Sequence, residues 1–87
     1  MATQQRTRKI NISTYMASRA FQDGVKTVRK GLPWPSDYEK LSPNEQWKFE
    51  TGRMFGILAP KELNIKLGRR ITPEAIRFFI ENKTDLL

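Results

Sequence analysis

The 87-residue chain contains no cysteine and no histidine. The first absence excludes disulfide frameworks and thiolate metal sites, and leaves the redox compartment unmarked. The second removes the commonest general base and the commonest metal ligand. No apolar run approaches bilayer-spanning length, and MATQQRTRK lacks the apolar segment of a signal peptide. These absences predict a soluble, cytoplasmic protein with no membrane partner, no metal and no cofactor. Catalysis would fall to paired carboxylates, lysine or activated hydroxyls. Glu45 and Glu74 stand in helix-start positions, Glu62 and Glu81 on polar faces, and no Gly-rich phosphate loop or nucleophile elbow is present. The expectation is a non-enzyme without a small-molecule substrate.

Hydrophobic residues are also scarce, at 38%, against 29% charged. At this length there is room for one modest core. What the chain has in excess is positive charge, +7 overall, and it is unevenly placed. Residues 1–30 carry Arg6, Arg8, Lys9, Arg19, Lys26, Arg29 and Lys30 against Asp23 alone, a net of +6. Residues 31–60 net −1 and residues 61–87 net +2, the latter including a smaller basic group at Lys66, Arg69 and Arg70. A basic cluster at one end is the electrostatic footprint of a polyanion binder. A solvated surface that keeps the protein in solution is the competing explanation, as is the favourable interaction of Lys26, Arg29 and Lys30 with a helix C-terminus.

Helix signals organise the rest. Residues 1–12 read as a basic flexible arm, with Ile10 and Ile12 anchoring its end, and residues 13–87 as one small helical domain. A first helix is predicted over 14–30, capped by Ser13 or Thr14, with Ala17, Ala20, Phe21, Gly24, Val25 and Val28 on one face. Gly24 costs about 1 kcal/mol relative to alanine there, which points to close approach of another backbone or ring. Gly31 suits a left-handed C′ residue. Pro33 and Pro35 then force a turn around Trp34, and Tyr38 follows. These two rings either plug the space between helices or offer a stacking surface to a base.

Ser42-Pro43-Asn44-Glu45 is an N-cap, an N1 proline and a capping-box glutamate. The helix it opens carries Trp47, Thr51, Met54, Phe55 and Leu58 on its apolar stripe, with Gly52 and Gly56 on one side for close packing. It ends at Ala59-Pro60, so that 13–58 forms a helical hairpin. Residues 59–71 are expected as a connector, a helical turn or extended stretch in preference to a strand. Thr72-Pro73-Glu74 starts a last helix over 72–83, with Ala75, Ile76, Phe79 and Ile80 inward, Phe78 at the edge, and residues 85–87 frayed. The expected fold class is all-α: a two-helix hairpin core plus a C-terminal helix.

The central stretch resembles the ribosome modulation factor family. The pattern is Ala20-x-Gln22-x-Gly24, then Gly31, Tyr38, Leu41 and Gln46-Trp47 at matching spacing, behind an Arg/Lys-rich N-terminus. It covers about a third of the chain. Lys48-Phe49-Glu50 stands where the family has Gly-Gly-Trp, and residues 59–87 have no counterpart. The resemblance implies two helices joined by a Pro-containing linker, binding to the small ribosomal subunit near the 3′ end of its rRNA, and ribosome dimerisation.

Three functions follow as expectations. The first is a small basic RNA- or ribosome-binding protein that modulates translation, contacting nucleic acid through Arg6, Arg8, Lys9, Arg19, Lys26, Arg29 and Lys30 with Trp34 and Tyr38. The second is a phage or mobile-element module that binds and inhibits a host protein through Trp34, Trp47, Gly52, Phe55 and Gly56. The third is a DNA-binding accessory factor with helices 42–58 and 72–82 as a helix-turn-helix. Its connector is far longer than that motif's usual turn, and its last helix carries only Arg77 and Lys83 as cations.

Overall fold

Two helices cross so closely that their contact is made by backbone, and the remainder of the chain packs around that crossing. The computed structural model describes residues 11–86, which are mostly helical. In chain order they form α1 (Ile12–Ala17), α2 (Arg19–Arg29), a single 3₁₀ turn (Tyr38–Lys40), α3 (Pro43–Leu58), β1 (Lys66–Leu67), β2 (Arg70–Ile71), α4 (Pro73–Glu81) and α5 (Lys83–Leu86). None of these helices is long and apolar enough to cross a membrane.

Glycine sets the α2–α3 crossing. A Cβ added at Gly24 would collide with the Phe49 carbonyl oxygen and lie 2.9 Å from the Arg53 amide nitrogen. One added at Gly52 would collide with the Phe21 carbonyl oxygen, and one at Gly56 would press on Val25 and Val28. Gly24 of α2 and Gly52 of α3 thus each admit the other helix's backbone. The spacing of four between Gly52 and Gly56 keeps them on one helix side.

The helix boundaries follow their caps. Ser42 and Glu45 complete the capping box of α3 with Pro43 at the first position. Thr72 caps α4 ahead of Pro73. Gly31, at φ 65°, closes α2. Its amide donates to the Val28 carbonyl (3.2 Å) and the Leu32 amide to the Thr27 carbonyl (2.8 Å), the paired bonds of a Schellman motif.

The predicted first helix is two helices. Ser18 is extended at ψ 149°. Its hydroxyl donates to the Tyr15 carbonyl (2.8 Å) and accepts from the Phe21 amide (3.3 Å), so one residue ends α1 and starts α2. Gln22 reinforces the corner by donating to the Met16 carbonyl (2.7 Å). The cap of α1 is Asn11, not Ser13 or Thr14, and Ala17 is exposed rather than on the core face. Ile12 packs on the core as expected, while Ile10 lies outside the described residues.

The connector also differs from expectation. Residues 66–71 form a tight antiparallel hairpin, Lys66 opposite Ile71 and Leu67 opposite Arg70. Gly68, at φ 66°, is followed by Arg69 at negative φ, the pattern of a type II′ turn matched to strand twist. Its root is fixed by Thr72, whose amide donates to Ile65 O (3.0 Å) and whose hydroxyl donates to Asn64 O (2.6 Å). At the end of the chain Leu86 is buried instead of frayed, because the break at Asn82 turns α5 back onto the core.

The aromatic residues divide into two groups. Tyr15, Phe21, Phe55 and Phe79 meet in the core with centroids 5.6–6.2 Å apart, joined by Trp47 5.2 Å from Tyr15. The Tyr15 hydroxyl donates to Thr51 Oγ1 (2.9 Å), which donates on to the Trp47 carbonyl (2.9 Å). Burial pushes the Tyr15 phenol up to about 12, despite that hydrogen bond. The second group is Trp34, Tyr38 and Phe49, at the turn. Three residues expected inward face out: Met54 and Leu58 on α3 and Ile80 on α4.

Candidate nucleic-acid interface

The basic residues of α2 do not form one continuous face. At its N-terminal end Arg19 lies 3.8 Å from Asp23, the only ion pair among the described residues. Both line a cleft of about 370 Å³ with Asp37, Glu45 and Phe49. Three carboxylates beside one guanidinium make this end unfavourable to phosphate. It offers no metal site either: no three acidic side chains among the described residues come close enough together.

Arg29 is turned inward to the connector. Its two terminal nitrogens donate to the carbonyls of Leu63 (3.0 Å) and Pro60 (2.9 Å), while Nε is buried without a partner. A guanidinium is suited to this, with several donors in a fixed fork. Its terminal groups serve the fold and are engaged before any phosphate arrives.

Lys26 and Lys30 remain. Both are exposed in the last turn of α2 and its cap, and neither meets a carboxylate among the described residues. The chain leaves them through Gly31 directly into the Trp34 turn. Trp34 stands edge-on to Tyr38 (4.8 Å) and Phe49 (5.3 Å), and the Arg53 guanidinium lies 4.7 Å from its ring centroid. Even so, 45% of Trp34 is exposed. The ring is therefore both packed and open, which combines the two sequence readings. Arg53 holds it by a cation–π contact, attractive by about 0.5–2 kcal/mol. Tyr38 is fixed by donating its hydroxyl to Glu50 Oε2 and by accepting at its carbonyl from Gln46 Nε2 (3.2 Å). Desolvation and then Glu50 push its phenol up to about 12.

Arg53 and Lys48, whose ammonium lies 5.8 Å from the Tyr15 ring, are the cations that sequence reasoning overlooked. The available signal was the i, i+4 spacing of Phe49 and Arg53, which puts the guanidinium over a ring that meets Phe49 edge-on. Arg6, Arg8 and Lys9 lie outside the described residues.

The alternative protein-binding surface is altered by burial. Gly52 and Phe55 are buried, Gly56 is occupied by the helix crossing and Trp47 packs against the core. Gly52 and Phe55 are unavailable to a partner because they build the hairpin, while Trp47 and Gly56 are half-buried. Of that set only Trp34 is exposed. The apolar surface that α3 does present is Met54, Ile57 and Leu58, 40–58% exposed.

No family model, no curated protein and no solved structure matches this chain.

Proposed function

We propose that this protein is a non-enzymatic RNA-binding protein of the cytoplasm that associates with ribosomes and modulates translation. The observation carrying the reading is the end of α2: Lys26 and Lys30 are exposed without acidic partners, and the chain runs from them into Trp34, half open and braced by Arg53. Lysines placed this way take phosphates, and an indole held on one side accepts an unstacked base. Arg6, Arg8 and Lys9 add charge ahead of them in the sequence. The spacing shared with ribosome modulation factors, Ala20 to Trp47, supports rRNA as the target. Arg19 and Arg29 contribute less than their charge suggests, one being beside carboxylates and the other tied to carbonyls.

The test is co-sedimentation with purified small ribosomal subunits. The expected result is stoichiometric pelleting at low salt, loss at high salt, and loss after Lys26→Ala with Trp34→Ala. Pelleting that ignores both salt and these substitutions would sink the reading.

A second reading has its own observation. Met54, Ile57 and Leu58 form an exposed apolar stripe on α3, the kind of surface a host protein would cover. It predicts nuclease-resistant capture of one stoichiometric protein, abolished by Ile57→Asp.

A further inference from the structure

Residues 66–70 of the β1–β2 hairpin are exposed throughout and have no role in the function proposed above. We propose that it is a second nucleic-acid contact, which seats Leu67 in the shallow minor groove of an RNA helix while Lys66, Arg69 and Arg70 grip the phosphates on either side. This rests on the RNA-binding reading and extends it to a separate surface.

Three observations carry it. The first is orientation. Ile71 is buried, so the alternation of a strand turns Arg70 and its cross-strand partner Leu67 to the opposite, solvent face, while Lys66, paired with Ile71, starts from the other face and is exposed on that side. Leu67 is 76% exposed, more than any other large hydrophobic residue described. The second is charge. Residues 63–73 contain three cations and no acid, and none of the three forms an ion pair among the described residues. The third is placement. Arg29 binds the carbonyls of Pro60 and Leu63, so the hairpin's root lies within one arginine side chain of the last turn of α2. Lys26 and Lys30 sit on that turn. The stretch that leads into the hairpin is thereby tied to the helix turn that carries Lys26 and Lys30.

The turn chemistry suits a rigid probe. The two-residue connection at Gly68-Arg69 leaves little slack, and Thr72 fastens the root. An RNA minor groove is wide and shallow, and offers riboses to an apolar side chain between two phosphate rows. An anionic membrane would also attract cations flanking a leucine. Burying one leucine contributes only about 1.5–3 kcal/mol, and even a whole myristoyl chain gives marginal anchoring, so the groove is favoured.

The test compares three full-length proteins on a short RNA duplex across a salt series: wild type, Lys66→Ala/Arg69→Ala/Arg70→Ala, and Leu67→Ser. All four positions are exposed, and circular dichroism checks that the fold is retained. The triple variant is expected to lower the slope of log K against log salt by about 3, flattening the affinity loss between 50 and 200 mM salt by about sixtyfold. Leu67→Ser is expected to weaken binding several-fold with the slope unchanged. If wild type binds and both variants bind as tightly with the same slope, the hairpin contact is wrong while the RNA reading stands. If wild type pellets with ribosomal subunits but does not bind the duplex, the hairpin contact is wrong and the RNA reading stands; if it binds neither, both fail. Binding to phosphatidylserine vesicles that Leu67→Ser abolishes, with duplex binding unaffected, would assign the hairpin to a membrane and overturn the inference.

Discussion

Gly24 and Gly31 have different reasons to be glycine, and substitution separates them. Gly24 lies against the Phe49 carbonyl and the Arg53 amide, neither of which can swing aside without moving α3. Gly24→Ala is expected to destabilise by about 3 kcal/mol, the upper end for overpacking, lowering Tm by more than about 10 °C. At Gly31 nothing lies within 4 Å of an added Cβ, and only its φ of 65° is unfavourable. Gly31→Ala is expected to cost about 1 kcal/mol, read from the same thermal melts. Equal losses would mean that the close crossing does not exist. The sequence identified both positions correctly, since one lies inside an amphipathic pattern and the other just past it. It was silent on Arg29, whose carbonyl partners lie 31 and 34 residues away. No local pattern encodes that distance, and the residue was counted with the phosphate-binding cations.

At the level of elements, the boundaries where a cap residue is followed by proline were legible and those without a visible break were not. Ser42-Pro43-Glu45 and Thr72-Pro73 mark α3 and α4 as predicted. The corner at Ser18 escaped notice because serine there interrupts no apolar spacing. Only the positions of the Tyr15 carbonyl and Phe21 amide reveal that its hydroxyl serves two helices. Ser18→Ala should therefore cost about 1 kcal/mol, as loss of an N-cap does, seen as a lower urea midpoint at unchanged slope. An unchanged midpoint would mean that α1 and α2 are joined without help from the cap. The hairpin was missed for a related reason. Strands two residues long carry too little alternation to be distinguished from a connector, and a glycine closes a helical turn as readily as a type II′ turn.

Across the whole molecule the two tyrosines predict how stability responds to alkali. Tyr15 and Tyr38 both have phenols raised from 10.0 to about 12, Tyr15 by burial and Tyr38 by desolvation and then Glu50. Because the folded values exceed the unfolded ones, this stabilisation is fully present below about pH 10 and is lost between about pH 10 and 12. Urea midpoints should fall across that window, and less steeply in Tyr38→Phe. A midpoint that rises there would contradict the sign.

Charge is the other whole-molecule property. An overall excess of +7 fits the proposed binding to RNA without saying which surface would carry it. The fold sorts the cations: Arg19 among carboxylates, Arg29 to the connector, Arg53 to Trp34, and Lys26 with Lys30 to solvent. That sorting depends on tertiary contacts, so the site was legible as a composition and not as a surface.

The most direct test is the salt dependence of rRNA binding by wild type and by Lys26→Ala/Lys30→Ala. Each lysine that neutralises a phosphate contributes about 1 to the slope of log K against log salt. The double variant should bind rRNA more weakly, with a slope shallower by about 2 and a melting temperature lowered by only a few degrees, as loss of charge at a helix C-terminus does. Coincident lines for the two proteins, or wild-type binding that does not vary with salt, would contradict an interface built on the end of α2.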